Sequence, residues 1–490
     1  MISPQHIKYQ TDQGYSEYIE ITRRVGLIAA SLMPINMLLI MKSQSLVCLL
    51  GEPFRTLTTV GKKTIINQSS PGGFSEEQMN PYHRIVGRVM IILTTIHGSM
   101  FLAYFVQNKM ISTRLFDIDI LFGLTSVAIF FAIGFTSLAW FRQRHYRTYF
   151  ITHISLAFII FPTLYFHTPH LRSYIVESTL IYILNRGLRM ATTRVLWAEV
   201  VPQTNPNLMS ISFLASKGGV FPVYPTTSFI YFTPGGSSII QSLLKSVVSN
   251  PFTVTMNSPK GEPRIVVHRR NGNTAAFDTM SKTTKVLVEG PYGYATSYSP
   301  SLADHLLDRC DQFFLCAGGV GATFTMPIAN ALLHSMNGEL EGSIRKRFHV
   351  IWVVQSLADV YWAFEGFETS GSSRYQLKDF VRVFVTRDIR PEDDEVIFSD
   401  SDDEADEAME LQNKEKRVQR TAAVDGLNIS KGRPVVGALV DEFFKAISPS
   451  ETASIITCGP DNLNRSLRKE VGKFVTKGQS VLWHEEKFGR

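Results

Sequence analysis

Residues 83–97 read HRIVGRVMIILTTIH, and residues 153–167 read HISLAFIIFPTLYFH. Each stretch is apolar, begins and ends with histidine, and separates its two histidines by fourteen residues. On an α-helix, fourteen residues rise about 21 Å and return to within about 40° of the same face. Because the hydrocarbon core of a bilayer is about 30 Å thick, a spanning helix of either sequence would carry one histidine towards each surface. Two such helices side by side would form two stacked histidine pairs, a geometry that suits two haems, one per leaflet.

The composition of the chain hides a division into two halves. Hydrophobic residues make up 44% and charged residues 19% of its 490 residues. This composition is intermediate between those of soluble and membrane proteins. Long apolar runs end near residue 190, however, and the rest is typical of soluble domains. Much of the net charge of +6 lies beside the apolar runs, so we interpret it as a topology signal and not as a nucleic-acid surface. The four cysteines form no metal-binding spacing and predict no disulfide framework.

Apolar runs predict an α-helical transmembrane bundle over residues 23–190, after a polar N-terminal segment at 1–22. About five spans are expected: Val25–Leu50, His83–Val106, Ile118–Trp140, Tyr149–His167 and Tyr174–Leu188. Several such runs in one block argue against buried helices of a soluble core. Histidines inside a membrane are costly and are therefore usually paired or functional.

The basic connection at 142–147 is expected on the cytoplasmic side of the membrane. Lys62, Lys63 and the arginines after the fifth span fall on the same side if the spans alternate, whereas Arg23 and Arg24 do not. With one span between them, the second and fourth spans run parallel. His83 then lies level with His153, the inner pair, and His97 level with His167, the outer pair. A haem iron held by two imidazoles has no open position, so it carries single electrons.

The soluble half predicts two domains. Residues 195–300 contain short alternating runs punctuated by proline and glycine, which indicate a small antiparallel β-barrel. Residues 310–490 alternate strands with helices, which indicates a doubly wound α/β domain. An acidic stretch within about 391–432 is expected to be a disordered insertion.

Two loops of the α/β domain carry glycine at the ends of predicted strands. Gly318, Gly319 and Gly321 follow the first strand, where glycines let a backbone approach a pyrophosphate and the next helix favours its negative charge. Cys458-Gly459-Pro460 follows a later strand. Loops at the carboxyl ends of such strands are where ligands bind. Ordinary tight turns and buried packing of the cysteines are the alternative interpretations.

Over roughly residues 20–490 the chain resembles the ferric reductase and NADPH oxidase superfamily. It looks most like the yeast-type branch described as probable metalloreductases and as endoplasmic-reticulum NADPH oxidases. The resemblance rests on Tyr82–Arg88, Ile96–Gly98, Tyr149–His153 and Asn185-Arg186, together with the loops above. It implies two b-type haems in the membrane, FAD on the barrel and NADPH on the last domain, with both soluble domains cytosolic. It also implies an endoplasmic-reticulum or plasma-membrane location.

Carried over residue by residue, the resemblance assigns the cofactor contacts. The haem ligands are His83, His97, His153 and His167. The flavin motif falls on Asn250-Pro251-Phe252-Thr253, with Asn250 where relatives have histidine, and on Gly290-Pro291-Tyr292-Gly293. Gly318, Gly319, Gly321 and Cys458-Gly459-Pro460 would contact the nicotinamide nucleotide. Phe488 lies in an ending that resembles the aromatic end near the flavin ring in relatives.

The function expected from this resemblance is transmembrane electron transfer. Electrons would pass from NADPH through FAD and two haems to a ferric or cupric chelate across the membrane. The alternatives are an NADPH oxidase that reduces dioxygen to superoxide, and a non-catalytic membrane scaffold or regulator. No residue of the sequence discriminates between the acceptors.

Overall fold

The computed structural model describes residues 4–41, 76–203, 205, 207–214, 227–234, 251–257, 263–268, 283–292, 302–336, 343–344, 347–364, 376–388 and 426–486. These residues form two compact units that divide between Ala191 and Thr192.

The first unit is helical. Its long helices are α1 Pro4–Leu38, α2 Glu76–Gln107, α3 Ile118–Thr136, α4 Tyr146–His167 and α5 Arg172–Thr192. Short helices at Ile111–Arg114 and Ala139–Arg144 and a 3-10 turn at Pro169–Leu171 connect them. The core is aliphatic and lies between the helices; it includes Met33 of α1, Met90 of α2, Ile129 of α3 and Ile160 of α4.

Three helices of the described residues are long and apolar enough to cross a membrane: Met79–Gln107, Ile118–Thr136 and Tyr146–His167. Their outward faces carry large exposed apolar side chains, such as Ile92, Phe131 and Ile159. In water that exposure would be unfavourable, whereas lipid is a suitable solvent for it. These three helices match the second, third and fourth predicted spans.

The two flanking helices differ from the prediction. The helix α1 begins at Pro4, so residues 4–22, predicted as a separate polar segment, continue into the apolar part of the helix. It ends at Leu38, and residues 42–50 of the predicted first span lie outside the described part of the chain. The helix α5 is longer than the predicted fifth span, at Arg172–Thr192, because it continues through polar residues at both ends.

The second unit begins with six antiparallel strands. They are β1 Thr193–Pro202, β2 Leu208–Leu214, β3 Phe229–Pro234, β4 Pro251–Asn257, β5 Pro263–His268 and β6 Thr283–Tyr292. They follow the order β1-β2-β5-β4-β3-β6, and β6 pairs with β1, so the sheet closes on itself. Alternate residues of each strand face inwards, and they build an apolar core that includes Ile211, Val254 and Val288.

The second part of this unit is a parallel sheet with helices on both faces. Its strands are β7 Gln312–Gly318, β8 Phe348–Ser356, β9 Val381–Asp388, β10 Asn428–Lys431, β11 Thr452–Cys458 and β12 Ser480–Glu486. Its helices are α6 Leu302–Leu307, α7 Ala322–Ser335, α8 Val436–Lys445 and α9 Asp461–Val475, with short helical turns at Leu357–Asp359, Tyr361–Phe364 and Leu377–Asp379. The helix α7 packs on one face of the sheet, and α8 and α9 pack on the other.

The strand order β10-β9-β8-β7-β11-β12 places the switch point between β7 and β11. From β7 the chain proceeds to β8 on one side, and β11 later pairs with the other side of β7. Ligands of doubly wound sheets bind in the crevice that forms at such a point. The switch point therefore brings the loop after β7 next to the loop after β11.

One prediction in this region was wrong at its C-terminal boundary. Residues 428–431 were expected within the disordered insertion, but they form β10, which pairs in parallel with β9. An edge strand of four residues carries too little apolar signal to be separated from its polar surroundings. Residues 389–425, which include the whole acidic stretch at 391–410, lie outside the described residues.

Candidate functional site

The four histidines of the two opening stretches form two pairs in the helical unit. The ring centroids of His83 and His153 are 6.3 Å apart, and those of His97 and His167 are 6.5 Å apart. This pairing requires α2 and α4 to run parallel. Since an imidazole nitrogen lies about 2 Å from a bound metal and about 1.2 Å from its own ring centre, two axial imidazoles on one iron have centroids about 6.4 Å apart. Both pairs therefore fit one iron each.

The second ring nitrogen of each histidine is occupied by a neighbouring helix. Nδ1 of His83 lies 3.2 Å from the carbonyl oxygen of Asn36, and Nδ1 of His97 lies 2.8 Å from that of Thr22, both in α1. A carbonyl oxygen only accepts, so these Nδ1 atoms donate. That tautomer leaves Nε2 with its lone pair as the nitrogen available to a metal, the arrangement typical of metal-binding histidines.

The histidines of α4 contact α3 and the residue that follows it, His167 through a backbone carbonyl and His153 through a hydroxyl group that can donate or accept. Nδ1 of His167 lies 2.7 Å from the carbonyl oxygen of Asp119. Nδ1 of His153 lies 3.2 Å from the hydroxyl oxygen of Ser137. Each histidine helix is thus paired with the antiparallel helix that precedes it, and four hydrogen bonds orient four rings. The supporting carbonyls were not predicted, because a backbone oxygen has no sequence signal.

Arginines gather at the inner pair. Arg84 interacts electrostatically with Arg88, Arg142 and Tyr149, and the guanidinium carbon of Arg142 lies 6.0 Å from the centre of the Tyr149 ring. Nε of Arg142 is buried and has no hydrogen-bond partner among the described residues. A b-type haem carries two carboxylates, and guanidinium groups are the preferred partners of carboxylates. The donors at this end therefore fit the group that the histidine pair would hold.

The glycine loops of the α/β domain meet at the switch point. A Cβ on Gly321 would stand 2.0 Å from the carbonyl oxygen of Cys458, and one on Gly318 would stand 2.5 Å from Cδ of Pro460. Gly319 has a φ of +55°, in the left-handed region that favours glycine. The two predicted loops thus form one surface, and the N-terminus of α7 lies beside it. Backbone N–H groups at such an end favour a phosphate.

The two cysteines near these loops are packing residues in the described structure. Cys316 is fully buried in β7, and Cys458 is fully buried at the end of β11. Burial raises the pKa of the Cys316 thiol to about 12. This thiol therefore stays protonated at neutral pH and is a poor nucleophile.

Asn464 of α9 fixes the loop that begins at Cys458. Its Oδ1 accepts from the hydroxyl of Thr457 at 2.9 Å. Its Nδ2 donates to the carbonyl oxygen of Gly459 at 3.2 Å and to Oε1 of Glu485 at 3.3 Å. Since Asn464 is only 1% exposed, water does not compete for these hydrogen bonds. Sequence reasoning missed this residue, because an asparagine early in a helix is more often a surface residue.

We expect Asn464→Ala to destabilise the second, soluble unit, which begins at Thr192, and to weaken nicotinamide-nucleotide binding. Leaving the buried Thr457 hydroxyl and the Gly459 carbonyl unpaired costs about 2 kcal/mol, which corresponds to a Tm about 4–8 °C lower for a domain of this size. Thermal unfolding of the purified full chain and its KM for NADPH are the measurements. Asn462→Ala is the matched control, since Asn462 is exposed on the same helix. Equal Tm values for the two variants would contradict the role of Asn464.

The barrel brings together two of the motifs that the resemblance assigned to the flavin. Strand β3 pairs with β4 on one side, where Phe229 is level with Thr253 and Tyr231 with Pro251. On the other side β3 pairs with β6, where Phe229 is level with Tyr292. Phe252 is half-buried and Pro251 is exposed beside them. Asn250, Gly293 and Phe488 lie outside the described residues.

Three aromatic rings form the centre of this surface. The ring centroids of Phe229, Tyr231 and Tyr292 lie 5.8–5.9 Å apart in every combination. The hydroxyl of Tyr292 donates to Oε1 of the buried Glu289 at 2.9 Å. Gly290 has a φ of +133°, which only glycine adopts readily, and a Cβ there would stand 3.2 Å from the carbonyl oxygen of Phe229. The signal that could have found Phe229 and Tyr231 is their i, i+2 spacing on one face of a strand.

Comparison with protein families matches the two halves of the chain in order. Residues 25–164 match the ferric reductase like transmembrane component, and residues 310–472 match the ferric reductase NAD binding domain. Together the two matches take in more than half of the chain. The chain belongs to the ferric reductase family. It is an integral membrane, NAD(P)H-dependent oxidoreductase.

Individual ferric reductase relatives are distant in sequence. The chain is 24% identical to a probable metalloreductase AIM14 of Meyerozyma guilliermondii over 78% of its own length and 71% of that protein. It is also 24% identical to the ferric/cupric reductase transmembrane component 2 of Saccharomyces cerevisiae, over 83% of its own length and 55% of that protein. Among solved structures, a phthalate dioxygenase reductase covers 61% of this chain and 69% of its own, with 15% identity and a TM-score of 0.36.

Proposed function

We propose that this ferric reductase carries electrons from cytosolic NADPH, by way of FAD and two b-type haems, to a ferric or cupric chelate across the membrane. The observation that carries the proposal is that two histidine pairs lie one above the other between two parallel helices. Each pair has the ring spacing of axial ligands on one iron, and all four rings have Nδ1 occupied. Bound there, haems would carry single electrons and leave no coordination position open to a substrate.

The side chains of the helical unit hold and orient these groups. His83 and His153 would bind the inner haem, and His97 and His167 the outer one. Arg84, Arg88 and Arg142 would neutralise carboxylates at the inner end. The same arginines form the basic end of the bundle, so we assign this end to the cytosolic face of the endoplasmic-reticulum or plasma membrane.

The soluble unit would supply the electrons. Gly318, Gly319 and Gly321, together with Cys458, Gly459 and Pro460, would receive the dinucleotide at the switch point. Pro251, Phe252, Thr253 and the Gly290-Pro291-Tyr292 turn would hold FAD on the barrel, with Asn250, Gly293 and Phe488 as further proposed contacts. FAD converts the two electrons of NADPH into single-electron steps, which is the form that a haem accepts.

The choice of acceptor rests on the relatives. The Saccharomyces cerevisiae relative is named a ferric/cupric reductase, so we propose a metal chelate and two chelates reduced per NADPH. With His97 and His167 both holding the outer haem, an acceptor would receive electrons without binding the iron. Dioxygen could be reduced in the same way, and an oxidase is therefore the second candidate.

A single preparation tests the proposal. The purified full-length protein, supplied with haem and FAD, is given NADPH and a ferric chelate, and haem reduction and ferrous product are followed optically. We expect a reduced-minus-oxidised haem spectrum with two haems per chain, and chelate reduction that superoxide dismutase does not inhibit. Reduction that the dismutase abolishes would identify an oxidase instead. A chain without any haem spectrum would identify the scaffold or regulator and overturn the proposal.

A further inference from the structure

Gly26 of α1 lies directly against the imidazole of His97. A Cβ on Gly26 would stand 2.6 Å from both Cε1 and Nδ1 of that ring, closer than real Cβ atoms come to any heavy atom. The ring is not free to move away. Its Nδ1 donates to the carbonyl oxygen of Thr22 at 2.8 Å, and the Phe101 ring meets it edge-on, 5.0 Å away between centroids.

Gly123 of α3 stands in the same relation to His167. A Cβ there would stand 2.6 Å from Cε1 and 2.8 Å from Nδ1 of the ring. Nδ1 again donates to a backbone carbonyl, that of Asp119, at 2.7 Å. Two different helices thus present the same arrangement to the two histidines of the outer pair.

The arrangement has a geometric cause. In each case the accepting carbonyl belongs to the residue four positions before the glycine. A helical carbonyl at residue i points along the axis at the N–H of residue i+4. A ring that donates to this carbonyl from outside the helix must lie over residue i+4, where a side chain would occupy the space of the ring. Glycine is the only residue that leaves this space open.

The inner pair is held differently. His83 donates to Asn36, two residues before α1 ends at Leu38, and His153 faces the Ser137 side chain. No glycine of the described residues has an atom of His83 or His153 among its nearest neighbours. A glycine in a helix interior costs up to about 1 kcal/mol relative to alanine. Between the two pairs, only the outer one has its rings packed directly on such glycines among the described residues.

We propose that Gly26 and Gly123 are positioning residues for the outer histidine pair. Their missing side chains set the orientation of the His97 and His167 rings, whose planes now stand at 85°. The inference rests on the proposed bis-histidine function of these rings. The angle between two axial imidazole planes controls the splitting of the iron d orbitals, so it is read in the electron paramagnetic resonance of a low-spin ferric haem.

The test compares four glycine variants of the full-length, haem-loaded protein. In Gly26→Ala and Gly123→Ala we expect one of the two low-spin signals to shift its g-values or to disappear, while the other stays unchanged. Gly98→Ala is the matched control, because a Cβ there meets Cγ2 of Val127 at an ordinary 3.6 Å. Gly134→Ala controls for helix packing. Its Cβ would stand 2.8 Å from Cδ1 of Ile91, and no histidine atom is among its neighbours within 4 Å.

The outcomes separate this inference from the proposed function. No haem signal in the unsubstituted protein overturns both. Two unchanged signals in Gly26→Ala and Gly123→Ala overturn the inference and leave the function intact. A loss in Gly134→Ala equal to that in the two test variants also overturns it, because the cause would then be general packing.

A further pair of variants covers the case in which Gly26→Ala does not accumulate. In the His97→Ala background the ring is absent, so adding Gly26→Ala is expected to cause no further loss of folded protein, measured by size-exclusion chromatography in detergent. An equal loss in both backgrounds would show that the clash is not with the His97 ring and would overturn the inference.

Discussion

His97→Ala is expected to remove the outer haem and to lower NADPH-dependent chelate reduction by more than about 100-fold, the upper end of what losing a mere supporting partner of a ligand costs. One imidazole remains at that site, and Nδ1 of His167 is engaged with the Asp119 carbonyl. In the proposed assignment, the outer site would therefore lose one of its two protein ligands to iron. The haem content per chain and the rate of chelate reduction are the measurements.

His153→Ala tests the inner pair in the same way. The inner haem lies first in the proposed path, so its loss is expected to stop reduction of the outer haem by NADPH. Dithionite, which reduces the outer haem directly, should still do so. A path that began at the outer pair would instead leave NADPH-driven reduction of the outer haem intact in this variant.

Two exposed histidines provide the controls. His145 lies before α4 and His170 after it, and both are exposed. Their replacement by alanine is expected to leave haem content and activity unchanged. Full haem content in His97→Ala, or a loss in His145→Ala, would contradict the assignment of the pairs.

The second large effect is expected for Gly321→Ala. Its Cβ would stand 2.0 Å from the Cys458 carbonyl oxygen and 2.6 Å from the Cys458 carbonyl carbon. Both are backbone atoms of Cys458, the last residue of β11, which is paired with β7, so the two loops must separate. A displacement of about 1 Å in a binding surface costs about 100-fold in rate. We expect NADPH-driven flavin reduction to fall by at least that factor.

This variant separates the soluble unit from the helical one. Haem content and reduction by dithionite are expected to match the unsubstituted protein, because the helical unit is not altered. Gly472→Ala is the control: its Cβ would meet nothing within 4 Å, and a helix interior favours alanine by up to about 1 kcal/mol. Flavin reduction at the normal rate in Gly321→Ala would show that the two loops do not form the nucleotide site.

Much of the architecture could be predicted because it follows from repeating patterns. The 14-residue histidine spacing, together with the alternation of the spans, predicted which ring faces which, and the structure pairs His83 with His153 and His97 with His167. Alternating strands and helices predicted the parallel sheet. The apolar periodicity of each element extends over enough residues that a single exception does not obscure it. The short edge strand β10 carried too little of this signal and was missed.

The sequence by itself determined most of the elements and the two glycine loops, because these depend on patterns along one helix or strand. It also determined the pairing of the histidines, because their spacing and the alternation of the spans together fix which histidines lie level. Only the tertiary structure decided what surrounds them. The carbonyls of Thr22, Asn36 and Asp119, the cluster of three aromatic rings on the barrel and the close approach of Gly321 to Cys458 involve residues far apart in the chain. Such contacts depend on the packing of helices and strands, and a backbone oxygen is the same in every residue. The helices α2 and α4 place the four imidazoles, and hydrogen bonds to the neighbouring helices orient the rings.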